Sequence, residues 1–106
     1  MSAWTYLILA GIFEVGFAST LKLTEGFSKL VPTAIFLVCA SLSFYFLTKA
    51  AQTLPIGTAY AVWTGIGAVG TIIIGIFFYN EPIGALRLFF LFTLVASLVG
   101  LKLVSN

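Results

Sequence analysis

Four apolar stretches take up almost the whole chain. They run from about Trp4 to Leu21, Leu30 to Leu47, Gly57 to Tyr79 and Ile83 to Leu101. Each is close to the roughly 20 residues a helix needs to cross the hydrocarbon core of a bilayer. The breaks between them, "KLTEGFSK", "TKAAQTLP" and "YNEP", are short and hold most of the remaining charge. Pro32, Pro55 and Pro82 sit at or just before expected helix starts, where a missing N–H is harmless. This pattern predicts an all-α membrane protein, one four-helix transmembrane domain over residues 1–106. The first stretch does not read as a cleaved leader, because no basic side chain precedes it and Glu14 interrupts it.

Composition closes off the main alternatives. Only 8% of the residues are charged, against about 25% in a soluble protein, so a soluble fold lacks the polar residues to cover its surface. The net charge of +2 is spread over scattered basic residues and gives nucleic acid nothing to bind. There is no His, and the single Cys39 lies in an apolar run. No metal-ligand set, nucleophile–base pair or phosphate loop can be assembled, so neither cofactor nor soluble-type catalysis is expected. A channel or an accessory membrane subunit remains open at this level.

Glu14 is the residue that asks for a function. It stands ten residues after Trp4 and eight before Lys22, with no nearer charge. A charge at that depth costs roughly 2.5–3.5 kcal/mol on insertion scales. The cost falls if the carboxyl takes a proton or faces a wet cavity that holds a cation, and either makes it a proton or cation site. The bland reading is a neutral Glu bonded between helices. At helical spacing Glu14 shares a face with Leu7, Ala10, Gly11, Phe17, Ala18 and Leu21. The small residues leave room for a ligand, and Phe17 brings an aromatic face one turn away.

Other positions gather around this one. Tyr60 and Trp63 are three apart and share a helix face; they suit either a cation held between rings or an interfacial belt. Tyr60 also has a hydroxyl to offer the carboxyl. Gly65, Gly67 and Gly70 follow, for close packing or for a bend. Ser43 lies in "CASLSFYF", where a hydroxyl needs a partner: its own preceding turn or a group near Glu14. Four helices around one carboxyl enclose little, so a second copy is expected. Thr93 with Ser97, and Ala96 with Gly100, give small-xxx-small spacing for a dimer seam.

Basic residues barely specify orientation. Lys49 and Lys102 lie on one side, Lys22, Lys29 and Arg87 on the other. A bias of one charge leaves insertion in both directions open, and with it an inverted pair.

Glu14 in "AGIFEV", Gly26 and Phe27 followed by Pro32, and above all "LPIGTAYAVWTGIGAVG" from Leu54 to Gly70 make the chain resemble the small multidrug resistance family over its whole length. The resemblance implies an antiparallel, dual-topology dimer in a bacterial inner membrane. It implies proton-coupled export of organic cations, with the two Glu14 carboxyls binding protons or substrate in competition and Tyr60 and Trp63 lining the site. "WTGIGA" from Trp63 to Ala68, Ser43, and "GLK" from Gly100 to Lys102 resemble the guanidinium-exporting subtype, in which Ser43 would support Glu14. That subtype carries Trp one turn after the glutamate; here Phe17 keeps the π face and lacks the N–H. A quaternary-ammonium exporter, or one half of a pair of unlike subunits, is the alternative. The balance of Lys and Arg has a direct test: a reporter fused to the C-terminus should be active on both sides of the membrane, and activity on one side alone excludes inverted subunits.

Overall fold

The computed structural model describes residues 2–104. These form four α-helices and a short 3-10 turn, with no strand among the described residues. The helices are α1 (Ala3–Leu21), α2 (Leu30–Ala51), α3 (Ile56–Phe78) and α4 (Ala85–Val104), the 3-10 turn being Lys22–Thr24. Each helix is long and apolar enough to cross a membrane. The chain is a multi-pass membrane protein of four helices.

The helix ends explain where the sequence expectation slipped. α2 runs four residues beyond Leu47 to Ala51. Lys49 is accommodated in that last turn with its ammonium 5.5 Å from the Tyr45 ring centre, the behaviour of a long cationic side chain at a membrane boundary. α4 starts at Ala85 rather than Ile83 and continues to Val104. Pro55 is the N-cap of α3, Pro32 is the third residue of α2, and Pro82 precedes α4 by three residues. At the start of α1 the Ser2 hydroxyl accepts the Thr5 N–H at 3.2 Å, a standard cap.

The first connection turns back on three successive left-handed residues, Glu25, Gly26 and Phe27. Only Gly26 adopts that backbone freely. Buried Thr24 holds the turn: its carbonyl accepts the Ser28 and Lys29 N–H groups and its hydroxyl accepts the Phe27 N–H. After α3, left-handed Asn80 reverses the chain, and the N–H groups of Tyr79 and Glu81 both close on the Gly75 carbonyl.

α1 is the central helix, antiparallel to α2 and parallel to α3 and packed on both; the backbone of α4 approaches only α3 among the helices. The most buried apolar side chains, among them Leu7, Ala10, Ala59, Val62 and Trp63, lie where α1, α2 and α3 meet. In lipid no hydrophobic force drives helices together, so close approach over small residues carries the packing. Gly11 faces Ile66, Gly16 faces Cys39, Gly65 faces Leu98 and Gly70 faces Val15. No residue of α4 is buried. Thr93, Ala96 and Ser97, expected at a dimer seam, are exposed, and a side chain at Gly100 would meet open space.

A methyl group built on Gly11 would stand 2.7 Å from Ile66 Cβ. That atom is fixed to the α3 backbone and cannot swing away. Gly11→Ala should therefore cost about 1–3 kcal/mol, as overpacking does. The measurement is the unfolding midpoint in a denaturing-detergent titration, and an unchanged midpoint excludes this tight α1–α3 contact.

Candidate functional site

Glu14 lies at mid-length in α1 and turns its carboxyl toward α3. What receives it is Gly67. Any side chain at that position would overlap the Glu14 carboxyl group. The missing Cβ is thus the recess in which the carboxyl lies. One oxygen, Oε1, is buried and has no hydrogen-bond partner. Ala10 and Phe17, one turn to either side on α1, are buried and half-buried.

Just beneath, one polar chain joins three helices. The Ser43 hydroxyl on α2 donates to the Ala10 carbonyl on α1 at 2.7 Å, and the Trp63 indole N–H on α3 donates to Ser43 Oγ at 2.9 Å. Ser43 is fully buried. Ala10 precedes Glu14 by four, so its carbonyl is also the one that helix geometry assigns to the Glu14 backbone N–H. The bracket therefore grips α1 at the turn that carries the carboxylate. It satisfies the Ser43 and Trp63 donors, each of which would otherwise cost about 1–3 kcal/mol unpaired. Ser43 thus reaches the backbone below Glu14 and not the carboxyl itself.

Beside the carboxyl runs a row of rings. Tyr60 lies 5.6 Å from Trp63, Trp63 5.5 Å from Phe44, Phe44 6.2 Å from Phe17, and Phe17 5.5 Å from Phe36, centre to centre. These spacings are those of attractive aromatic pairs. The structure thus brings Phe17, Tyr60 and Trp63 together through a residue that sequence reading passed over, Phe44. In sequence it is one Phe among eleven; its place beside Ser43 was the available signal. Tyr60 is 57% exposed, and its hydroxyl is not a partner of the buried Glu14 Oε1. Gly65 and Gly70 lie away from the carboxyl, filled by Leu98 and Val15. The α4 residues Thr93, Ala96, Ser97 and Gly100 take no part in this cluster.

No charged side chain pairs with Glu14: the ion pair among the described residues joins Glu81 to Arg87, at 2.9 Å near the membrane surface. No group of three or more potential metal ligands occurs among the described residues. The arrangement is a lone carboxyl with a buried, unpartnered oxygen, with Phe17 one turn away on its own helix and Trp63 one turn from Gly67 on α3, and chemically it accepts a cation or a proton. The family model described as Small Multidrug Resistance protein matches residues 2–94. The chain belongs to the Small Multidrug Resistance family. Relatives of similar length are the guanidinium exporter of Yersinia pseudotuberculosis, 48% identical over 103 residues with 97% of this chain and 99% of the relative covered, and that of Salmonella typhimurium, 48% identical over 104 residues with 98% and 99% covered. The guanidinium exporter of Citrobacter freundii is also 48% identical over 104 residues. This family member is an efflux transporter, and its bacterial relatives put it in the inner membrane.

Gly67 offers a test of the recess. The atoms that a methyl there would strike are the far end of a flexible side chain, so Gly67→Ala should unfold at nearly the wild-type midpoint. The carboxyl must move, however, and binding of an organic cation at Glu14, followed by calorimetric titration, should weaken about tenfold or more, the equivalent of ~1.4 kcal/mol. Unchanged binding would show that the carboxyl position does not matter.

Proposed function

We propose that this chain exports guanidinium and small guanidino cations in exchange for protons, as an inverted dimer whose two Glu14 carboxyls bind either proton or substrate. One observation carries the reading: a single mid-membrane carboxyl, recessed on Gly67 with a buried oxygen that no protein group satisfies. Such a group is tolerable in hydrocarbon only if it is neutralised, and a proton and an organic cation are two ways to do so. Two further facts support the choice of cation. The relatives at 48% identity are guanidinium exporters, and a planar guanidinium fork donates directly to carboxylate oxygens while stacking on rings such as Trp63 and Phe17.

In this mechanism the carboxyls, loaded from the cytoplasm, hold the cation against the row of rings. The dimer then exposes the site to the other side by exchanging the conformations of its two subunits. α3, with Gly65, Gly67 and Gly70 along its packed face, is the part we assign to that movement. Protons from outside displace the cation and reset the carrier. Because both ligands use one site, coupling needs no separate relay for substrate. The stripe of exposed Thr93, Ala96 and Ser97 with half-buried Gly100 on α4 is the proposed contact between copies.

In proteoliposomes, Glu14→Gln should reduce guanidinium-driven proton flux to that of empty vesicles. Continued coupled flux in that variant would overturn the mechanism. The substrate class is tested by giving wild-type protein guanidinium and a tetraalkylammonium side by side. Larger guanidinium currents are expected; currents from the bulky cation alone would reassign the chain to the quaternary-ammonium exporters.

A further inference from the structure

Because α4 packs on α3 alone among the helices, α1 and α4 flank α3 with a furrow between them. α1 gives Ile8, Ile12 and Val15 to one bank, α4 gives Val95 and Val99 to the other, and Ile66 of α3 lies between. Two cavities occupy this furrow, of about 370 and 170 Å³. Both are lined by Ile66 and Leu98, which are half-buried where the cavities adjoin. A chain lying over these two side chains fills both cavities.

The furrow is separate from the carboxyl site. Ile8, Ile12 and Val15 lie about a third of a turn round α1 from Glu14, on the side away from Ala10 and Phe17. On α4, Val95, Val99 and Lys102 lie about half a turn from the stripe through Thr93, Ser97 and Gly100. A second copy seated on that stripe covers the opposite face of α4. One end of the furrow is charged. Trp4 and Lys102 line it at the membrane boundary, with the Lys102 ammonium 5.4 Å from the Trp4 ring centre. Lys102 is exposed, and a ring on one side of an ammonium leaves N–H donors on the other. Glu25 and Glu81 lie in connections at the opposite end of the bundle and Glu14 lies at mid-depth, so no carboxylate side chain competes for this cation. From Trp4 to Val15 the furrow follows α1 for about 16 Å. That is about half of the ~30 Å hydrocarbon core, the depth of one leaflet.

We propose that the α1–α4 furrow binds an anionic phospholipid, with one acyl chain over Ile66 and Leu98 and the phosphate against Lys102 at the Trp4 rim. The furrow has the length of a chain from a single leaflet, an apolar wall, and a cation only at the headgroup end. A transmembrane helix does not suit it, being about 10–12 Å across and needing the whole depth of the core. A zwitterionic phospholipid suits it less, because its own ammonium stands beside the phosphate that Lys102 would meet. The bound chain touches both banks and so braces α4 against α1, a contact that the helix backbones do not make. The site goes beyond the transport reading and does not rest on it.

The test is native mass spectrometry of the full-length protein in detergent, with equimolar phosphatidylglycerol and phosphatidylcholine of the same acyl chains. Wild type should retain one phosphatidylglycerol per subunit and prefer it by about fivefold, the scale of one lysine facing an anionic headgroup. Lys102→Gln should abolish the preference, and Lys102→Arg should keep it. Val95→Phe fills the furrow, leaves Lys102 in place, and should lower retention of both lipids by about as much. Ile12→Phe does the same from the other bank, so a folding defect in one variant does not decide the result. Excess glycerol phosphate, a headgroup without chains, should displace nothing. Equal retention of the two lipids by wild type, or an undiminished preference in Lys102→Gln, overturns the proposal. Unchanged retention in both Phe variants, or displacement by glycerol phosphate, reveals a phosphate contact that does not use the furrow and also overturns it.

Discussion

The structure depends on the three-member hydrogen-bond chain from Trp63 through Ser43 to the Ala10 carbonyl. In lipid, apolar contact alone does not tell one helix register from another, because the surrounding acyl chains offer comparable contacts. A buried donor does, because sliding α2 or α3 by one turn would leave Ser43 or Trp63 without a partner in hydrocarbon. The bracket fixes the register of α1, α2 and α3 at one level. The recess for Glu14 follows from that register, since Trp63 and Gly67 stand one turn apart on the same face of α3. With the bracket in place, Gly67 is opposite the carboxyl.

Glycines complete what the bracket begins. Gly11, Gly16, Gly65, Gly67 and Gly70 each receive a named side chain from a neighbouring helix. Four of these contacts hold apolar groups and serve packing. The fifth holds a carboxyl, and the same device, an absent Cβ, there serves the site. α4 follows the opposite logic, with no buried residue and a mostly apolar surface left uncovered in the single subunit.

The helices were legible in the sequence because hydropathy and length are read one helix at a time. Their ends were less so: Lys49 looked like a boundary, yet its side chain reaches over Tyr45 and lets α2 continue. The importance of Glu14 was legible because a lone charge at that depth needs an explanation wherever it points. The shared face of Tyr60 and Trp63 was legible from spacing within one helix. What spacing cannot give is register between helices. Hence the hydroxyl of Ser43 was associated with Glu14, when its partner is the backbone one turn below. Phe44, one aromatic residue in an apolar run, carried no mark of its place between Phe17 and Trp63, and Gly67 resembled its neighbouring glycines until the carboxyl beside it was located.

The bracket has a consequence for discrimination. It uses the indole N–H of Trp63 and the hydroxyl hydrogen of Ser43 for architecture, and Phe17 and Phe44 have no donor to give. Around Glu14 the surface that remains is electron-rich: carboxyl oxygen and ring faces. Urea has almost the shape and planarity of guanidinium, but it is neutral and carries a carbonyl that must accept a hydrogen bond when desolvated. Along the row of rings the one hydroxyl is that of Tyr60, exposed at its end beyond Trp63. In the proposed carrier, selection between the two isosteres would rest on charge, with no steric filter, because the Trp63 and Ser43 donors are already committed to holding the helices together.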